Sequence, residues 1–180
     1  MKKLMVGLVV TLLFSTSCKV QTKLTSERGK YEVVKDPETK ILRGYITRSV
    51  IENDTAFKWF KENMKYGTAD AAAVQALQNN GSKLRFVVFG GTWCHDTQNL
   101  LPVFYRLTDK SNIADAAITL IGVDRAKTTL NGLHKTYNIT NVPTFIVMQD
   151  GKEIGRVVEY GKYGAIDKEI GEIVAFANSK

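Results

Sequence analysis

The sequence contains very little cysteine: Cys18 and Cys94 are the only two thiols in 180 residues. At most one disulfide could therefore form within the chain. None can form if the sulfur of Cys18 carries a lipid, because Cys94 is then alone. A single remaining thiol in an exported protein indicates a reactive group or an intermolecular disulfide partner.

The chain also lacks a long hydrophobic segment and a dense cluster of basic residues. Its apolar run from Leu4 to Phe14 is eleven residues long, whereas a membrane-spanning helix needs roughly 20. The net charge of +7 is spread along the sequence without a run of five Lys or Arg residues. This pattern predicts a solvated basic surface, and we expect no nucleic-acid partner.

The N-terminus does contain the features of an export signal. A basic start, Met1-Lys2-Lys3, precedes an apolar run that has the length of a signal-peptide h-region. The following Ser15-Thr16-Ser17-Cys18 resembles a bacterial lipobox, in which the cysteine is lipidated and becomes the new N-terminus. An ordinary signal peptide cleaved nearby is the alternative. We expect residues 1–17 to be a signal peptide and the protein to be exported to the cell envelope or periplasm, anchored to the membrane through Cys18.

The next two segments are predicted to lead into the main domain. Residues 18–30 are polar and are expected to be a flexible tether. Residues 31–81 are expected to form an extension that packs on the domain, with two strands on either side of the turn-forming Asp36-Pro37. A helix that starts at Asn53 or Asp54 and an alanine-rich helix over 69–77 complete the extension.

Residues 82–180 have the pattern of an α/β domain. Short β-branched runs alternate with segments of helical periodicity, and Asp150-Gly151 is a strong signal for a two-residue hairpin. The predicted order is β-α-β-α-β-β-α, with parallel strands first, an antiparallel hairpin last and helices on both faces of a mixed central sheet. The predicted strands are 84–89, 117–123, 144–148 and 153–159, and the predicted helices are 94–108, 128–137 and 163–178.

Cys94 is expected at the junction between the first of these strands and the helix that follows. The first turn of a helix has free N–H groups and a partial positive charge, which stabilise a thiolate, the nucleophilic form of cysteine. Thr97 is expected to point its hydroxyl back at the sulfur, and a protonated His95 would favour the anion, whereas Asp96 would oppose it. The alternative is a buried, inert cysteine.

Two prolines lie at positions that give the cysteine a structural context. Pro102, eight residues after Cys94, is expected to bend the helix. Pro143 precedes the third strand of the domain and is a candidate for a cis peptide bond. A cis bond would turn the backbone of Val142 toward the sulfur and offer its N–H and C=O groups to an extended peptide. Trp93 is expected to form the rim of that peptide groove.

These motifs together resemble thioredoxin over roughly the last 100 residues. The resemblance rests on Trp93-Cys94 at a helix start, the helix proline, Val142-Pro143-Thr144 and the Asp150-Gly151 hairpin. It implies the thioredoxin fold, to which the N-terminal strands and helices are additional. With the export signal, the chain is similar to thioredoxin-like lipoproteins of Gram-negative envelopes, of the type found in Bacteroidetes-like bacteria.

The sequence departs from the thioredoxin pattern at two positions. The second cysteine of the family motif is replaced by Thr97, and the buried acid that assists that cysteine would fall at Val88. The resemblance therefore implies a protein that cannot complete a dithiol cycle alone. A single thiolate can still attack a disulfide and form a mixed disulfide that another thiol must release.

Our first hypothesis is an envelope thiol–disulfide oxidoreductase that acts through Cys94 alone and contributes to cell redox homeostasis. Its partners would be disulfide- or thiol-bearing envelope proteins or small thiols of the glutathione type. The alternative is a redox-inactive thioredoxin-fold module that binds peptides or proteins. No cofactor is expected, and a metal site built from Cys94, His95 and Asp96 or Asp124 fits tetrahedral zinc poorly.

Overall fold

The computed structural model of the protein describes residues 28–179. The predicted signal peptide, the predicted lipidation site Cys18 and most of the predicted tether lie outside these residues. In the range described, no helix combines the length and the apolar composition needed to cross a bilayer.

The centre of the fold is one six-stranded mixed sheet with the strand order β1-β2-β4-β3-β5-β6. Strands β3 and β4 pair in parallel, and the other four pairs of neighbours are antiparallel. The order predicted from residue 82 onward is confirmed, including the final hairpin at Asp150-Gly151. The strands are β1 (Tyr31–Val34), β2 (Ile41–Ile46), β3 (Leu84–Gly90), β4 (Ile118–Gly122), β5 (Thr144–Gln149) and β6 (Lys152–Val158).

Successive side chains along the central strands alternate between two hydrophobic cores, one on each face of the sheet. In β3, Phe86 and Val88 belong to one core, and Val87 and Phe89 belong to the other, as the two-residue period of a strand requires. Within residues 28–179, six helices cover these cores, five of them on the larger core and α5 on the smaller one. They are α1 (Arg48–Asn53), α2 (Lys58–Asn63), α3 (Ala71–Asn80), α4 (His95–Lys110), α5 (Leu133–Thr136) and α6 (Ile166–Ala177).

The predicted helix over 128–137 is wrong in extent. The segment forms a 3-10 turn at Leu130–Gly132 followed by the four residues of α5. Asn131 and Gly132 have φ angles of 59° and 69°, which lie in the left-handed region and interrupt a right-handed helix. Leu133 and Tyr137, which follow the helical spacing, still belong to the smaller core, so periodicity alone did not reveal the break.

The segment predicted as an N-terminal extension contributes β1 and β2 to the same sheet. Strand β2 joins the domain by pairing with β4, and Gly44 lies opposite Gly122 in this pairing. A Cβ atom on Gly122 would collide with the backbone oxygen of Leu42. The pairing therefore depends on a residue without a side chain at this position.

Pro102 lies within α4 and is buried, and its missing N–H leaves the carbonyl of Gln98 without its helical donor. The side chain of Asn63, at the end of α2, donates to that carbonyl oxygen at 3.0 Å. The broken helical hydrogen bond is thus replaced by a contact between helices, which fixes α2 against the first turns of α4.

Phe104 is the aromatic centre of the larger core. It is fully buried, and its ring lies 5.2–5.5 Å from those of Phe86, Tyr105 and Phe145.

We expect Phe104→Ala to lower the free energy of unfolding by about 3–5 kcal/mol, measured by guanidinium denaturation. Phe176→Ala is the matched control, because Phe176 is 64% exposed, and it should change the free energy by less than about 0.5 kcal/mol. Equal effects of the two substitutions would contradict this assignment of the core.

Candidate functional site

Cys94 is the residue immediately before α4 and has the extended backbone of a helix cap, with φ −89° and ψ 123°. Its N–H donates to the carbonyl of Gly91 at 2.9 Å, and its own carbonyl accepts from Gln98 at 3.0 Å. The side chain is neither buried nor fully exposed, and the thiol is free. The sulfur therefore lies at the positive end of a sixteen-residue helix and remains accessible.

The loop before β5 faces this sulfur. The peptide bond between Val142 and Pro143 is cis, as predicted. The thiol of Cys94 donates to the carbonyl oxygen of Val142, with 3.4 Å between the two heavy atoms. The loop is held from the other side, because the N–H of Glu159 donates to the carbonyl of Pro143 at 2.7 Å and the side chain of Asn141 donates to the Glu159 carboxylate at 2.8 Å.

Thr97 does not occupy the position that the sequence predicts for its hydroxyl. Its oxygen accepts the backbone N–H of Gly91 at 3.1 Å, and no hydrogen bond between Thr97 and Cys94 occurs in the described part of the chain. Thr97 is 2% exposed, and its methyl group packs on Gly90, where an added Cβ would lie 2.9 Å from it. The contact holds the loop before Cys94. The predicted hydrogen bond from the Thr97 hydroxyl to the sulfur is therefore wrong, because the buried side chain is directed at Gly90 and Gly91.

Trp93 is half-buried beside the cysteine. Its indole N–H donates to the backbone carbonyl of Val123 at 3.1 Å, just after β4. The indole also packs directly on Gly91, where a Cβ would lie 2.7 Å from the ring. The pair Gly90-Gly91, which the sequence indicated only as a strand terminator, thus makes room for Thr97 and Trp93.

A cleft of about 490 Å³ opens beside the thiol. Its lining includes Trp93, Cys94, His95 and Asp96, and His95 is exposed at the first position of α4. The structure therefore places three predicted site residues, Trp93, Cys94 and His95, in one cleft, with the backbone of Val142 in contact with the sulfur. Pro143 is buried behind that contact.

Sequence reasoning missed three other residues that line this cleft. Glu38 and Thr39, from the loop between β1 and β2, line it together with Arg125. The Arg125 guanidinium binds both oxygens of Asp36, at 2.7 and 3.2 Å, and one oxygen of Glu38, at 2.7 Å. The same guanidinium lies 5.6 Å from the centre of the Trp93 ring. The turn signal at Asp36-Pro37 pointed to the loop, but nothing in the sequence linked it to a residue 89 positions away.

The hydrogen bonds from Arg125 are the main reason that the pKa of Asp36 is lowered from 3.8 to about 2. The backbone N–H groups of Glu38 and Thr39 also donate to this carboxylate, at 3.0 and 3.1 Å, and favour its ionised form. The same ion pair raises the pKa of Arg125. The pair therefore stays charged throughout the range in which proteins normally work.

The position at which thioredoxin resemblance implies a buried acid holds Val88, which is completely buried in the larger core. No group of three His, Cys, Asp or Glu residues between 28 and 179 is arranged to hold a metal ion.

Comparison with known proteins places most of this region in one family. The model of the thioredoxin family matches residues 67–172, which is more than half of the chain and includes α3 as well as the cysteine. Thioredoxin H2 of Arabidopsis thaliana is 30% identical over 94 residues, covering 52% of this chain and 65% of that protein. The TPR repeat-containing thioredoxin of the same plant is 28% identical over 108 residues, covering 59% of this chain and 26% of the relative. The matches thus span less than two thirds of either relative.

Similarity to a solved structure supports the α/β fold and nothing beyond the fold. The crystal structure of an HIV epitope scaffold is 18% identical, with a TM-score of 0.50, and the alignment covers 76% of this chain and 94% of that one.

We expect the Asp36 carboxyl to titrate with a midpoint near 2 in the folded protein, below its ordinary 3.8. Because the folded pKa is depressed, the contribution of the pair to stability is present above pH 3.8 and is lost as the pH falls through about 2. Carboxyl-carbon NMR measures the midpoint directly. Arg125→Ala should move it back toward the ordinary value, whereas Arg156→Ala, which removes a different carboxylate-bound arginine, should leave it unchanged. A wild-type midpoint near 3.8 would show that the pair does not form.

Proposed function

The chain belongs to the thioredoxin family, and on that premise we propose that it is a thiol–disulfide oxidoreductase of the cell envelope that works through the single sulfur of Cys94. The observation that carries the proposal is the position of Cys94. Its sulfur lies at the start of α4, accessible from a cleft and in contact with the backbone of Val142. A packed, inert cysteine would need none of these features.

The proposed reaction is one exchange of sulfur partners. The Cys94 thiolate attacks one sulfur of a substrate disulfide, a new bond forms between Cys94 and that sulfur, and the other sulfur leaves as a thiolate. The electron pair of the broken S–S bond leaves with that second sulfur. The helix start favours the attacking anion, because its first turn carries free N–H groups and a partial positive charge.

The second half of the reaction needs an external thiol. Thr97 occupies the position from which a second cysteine would attack, and Val88 occupies the position of the assisting acid. An incoming thiolate must therefore attack the mixed disulfide, which returns Cys94 as a thiolate and transfers the bound sulfur to the incoming group. The protein is expected to hold its substrate covalently until that thiol arrives.

The loop of Val142 and Pro143 supports peptide binding beside the sulfur. In the free protein the Val142 carbonyl accepts the Cys94 S–H, and loss of that proton ends this hydrogen bond. The carbonyl then becomes available to a backbone N–H of an extended substrate, in the manner of an added β-strand. Trp93 would contact the substrate from the rim of the cleft, and His95 and Thr97 would influence the stability of the thiolate, His95 by charge and Thr97 through the loop that it holds.

We further propose that the protein acts at the membrane surface outside the cytoplasm. The support is the N-terminal sequence, in which a basic start and an apolar run lead to Cys18. Lipidation of Cys18 would place the folded domain on a tether and leave Cys94 as its single thiol. The substrates would then be envelope proteins or small thiols.

The single-sulfur mechanism makes a direct prediction for Thr97. The full chain with Cys18→Ser, treated with excess hydroxyethyl disulfide, should accumulate a stable mixed disulfide on Cys94, detected by intact mass. Adding Thr97→Cys should abolish that adduct, because side chains at a helix cap and three residues later lie side by side. The new thiol would expel mercaptoethanol and close an internal disulfide. Thr97→Val is the matched control and should keep the adduct.

The rate of the same reaction separates an activated thiol from an ordinary one. At pH 7 the adduct should form roughly three- to fivefold faster on the folded chain than on the chain unfolded in guanidinium, because only the folded chain has the helix start that favours the anion, while a more stable thiolate is also a weaker nucleophile. A folded rate equal to or below the unfolded rate would overturn the proposal and favour a redox-inactive binding module.

A further inference from the structure

The loop between β1 and β2 is attached at two points to segments that line the cleft, one before Cys94 and one after β4. The first attachment is Thr92, the residue two positions before Cys94, which is 3% exposed. Its hydroxyl donates to the carbonyl of Lys40 at 2.9 Å and accepts the N–H of Leu42 at 3.2 Å. The N-terminal hairpin and the segment that leads into Cys94 are therefore one hydrogen-bonded unit.

The second attachment is Arg125, which follows β4. Its guanidinium is held by Asp36 and Glu38 and lies over the face of Trp93, where a cation is attracted to the aromatic ring. The side chain of Asp36 is 10% exposed and that of Arg125 is 45% exposed. The planar guanidinium thus joins a sheltered carboxylate to the indole beside the reactive sulfur, a geometry that lysine cannot reproduce.

The loop itself is well ordered by its own contacts. Asp36 accepts the backbone N–H groups of Glu38 and Thr39 while it binds Arg125, and Pro37 restricts the backbone between them. At the far end, Lys40 forms an ion pair of 2.6 Å with Asp54. A loop fixed in this way can act as a wall rather than as a freely moving flap.

We propose that the segment Asp36–Lys40 is a wall of the Cys94 cleft, and that Arg125 is the positioning residue that holds this wall against Trp93 and limits the size of the substrate that reaches the sulfur. This inference rests on the proposed function, because the substrate is the disulfide that would exchange with Cys94. The wall, of which Glu38 and Thr39 line the cleft together with Trp93, excludes bulky groups that approach the sulfur past these residues.

The test compares two reagents that share one chemistry and differ in size. N-ethylmaleimide and a maleimide on a long polyethylene glycol chain both alkylate thiols, so the ratio of their rates on Cys94 reports steric access. The full chain carries Cys18→Ser, and each rate is normalised to that of a small free thiol. Arg125→Ala should raise the polymer-to-small-reagent ratio by roughly three- to fivefold, the population change expected when a partly exposed ion pair is lost. The rate with N-ethylmaleimide should stay within about twofold.

A spectroscopic measurement reports the positioning of Trp93 itself. In a Trp59→Phe background, Trp93 is the remaining tryptophan, and its fluorescence should be quenched more strongly by acrylamide after Arg125→Ala. Arg125→Lys should restore part of both effects, because it keeps the charge but not the paired hydrogen bonds. Arg156→Ala is the matched control, since Arg156 binds Glu153 in a similar way outside the cleft, and it should change neither measurement.

The outcomes separate this inference from the proposed function. Maleimides react with any accessible thiol, so the size ratio can be read even if Cys94 exchanges no disulfides. An unchanged ratio in Arg125→Ala, or equal changes for both reagents, would overturn the wall while leaving the exchange reaction intact. A raised ratio together with a failed disulfide exchange would support the wall and overturn the redox function.

Discussion

The arrangement of the site depends on the antiparallel pairing of β3 with β5. In this register Phe89 lies opposite Thr144, so the chain leaving β3 and the chain entering β5 meet at the same edge of the sheet. The first carries Gly90, Gly91 and Cys94, and the second carries Val142 and Pro143. The 3.4 Å contact between the Cys94 sulfur and the Val142 carbonyl follows from this register together with the start of α4. A one-residue shift would exchange the faces of every side chain in β5 and separate the two segments.

Contacts at the same edge explain how the fold accommodates Thr97 where the thioredoxin motif has its second cysteine. Thr97 is buried and its hydroxyl accepts the N–H of Gly91. The residue at this position therefore fixes the loop before Cys94. Val88 fills the core in which an acid would be buried without a charged partner, an arrangement that costs free energy. Both positions are therefore structurally satisfied by the residues that the chain has there.

The order of the elements from residue 82 and the position of Cys94 could be predicted because they depend on local patterns. Short apolar, β-branched runs mark the strands, the Asp150-Gly151 pair marks the hairpin, and Trp93-Cys94 with Pro143 marks the site. Asn131 and Gly132 break a helix that periodicity favoured, since periodicity does not report a left-handed backbone. The contact of Arg125 with Asp36 could not be predicted, because it joins residues that the β2–β4 pairing brings together across 89 positions. The site was thus predicted where it is local and missed where it depends on the N-terminal hairpin.

A peptide trapped on Cys94 would test the central claim most directly. The account predicts that a crystal structure of the mixed disulfide shows the peptide extended beside Val142, with its backbone hydrogen-bonded to that residue and its flank against Glu38 and Thr39. A structure in which the peptide leaves the cleft away from Val142 would contradict it. Failure of the folded chain to form any adduct on Cys94 would contradict it as well.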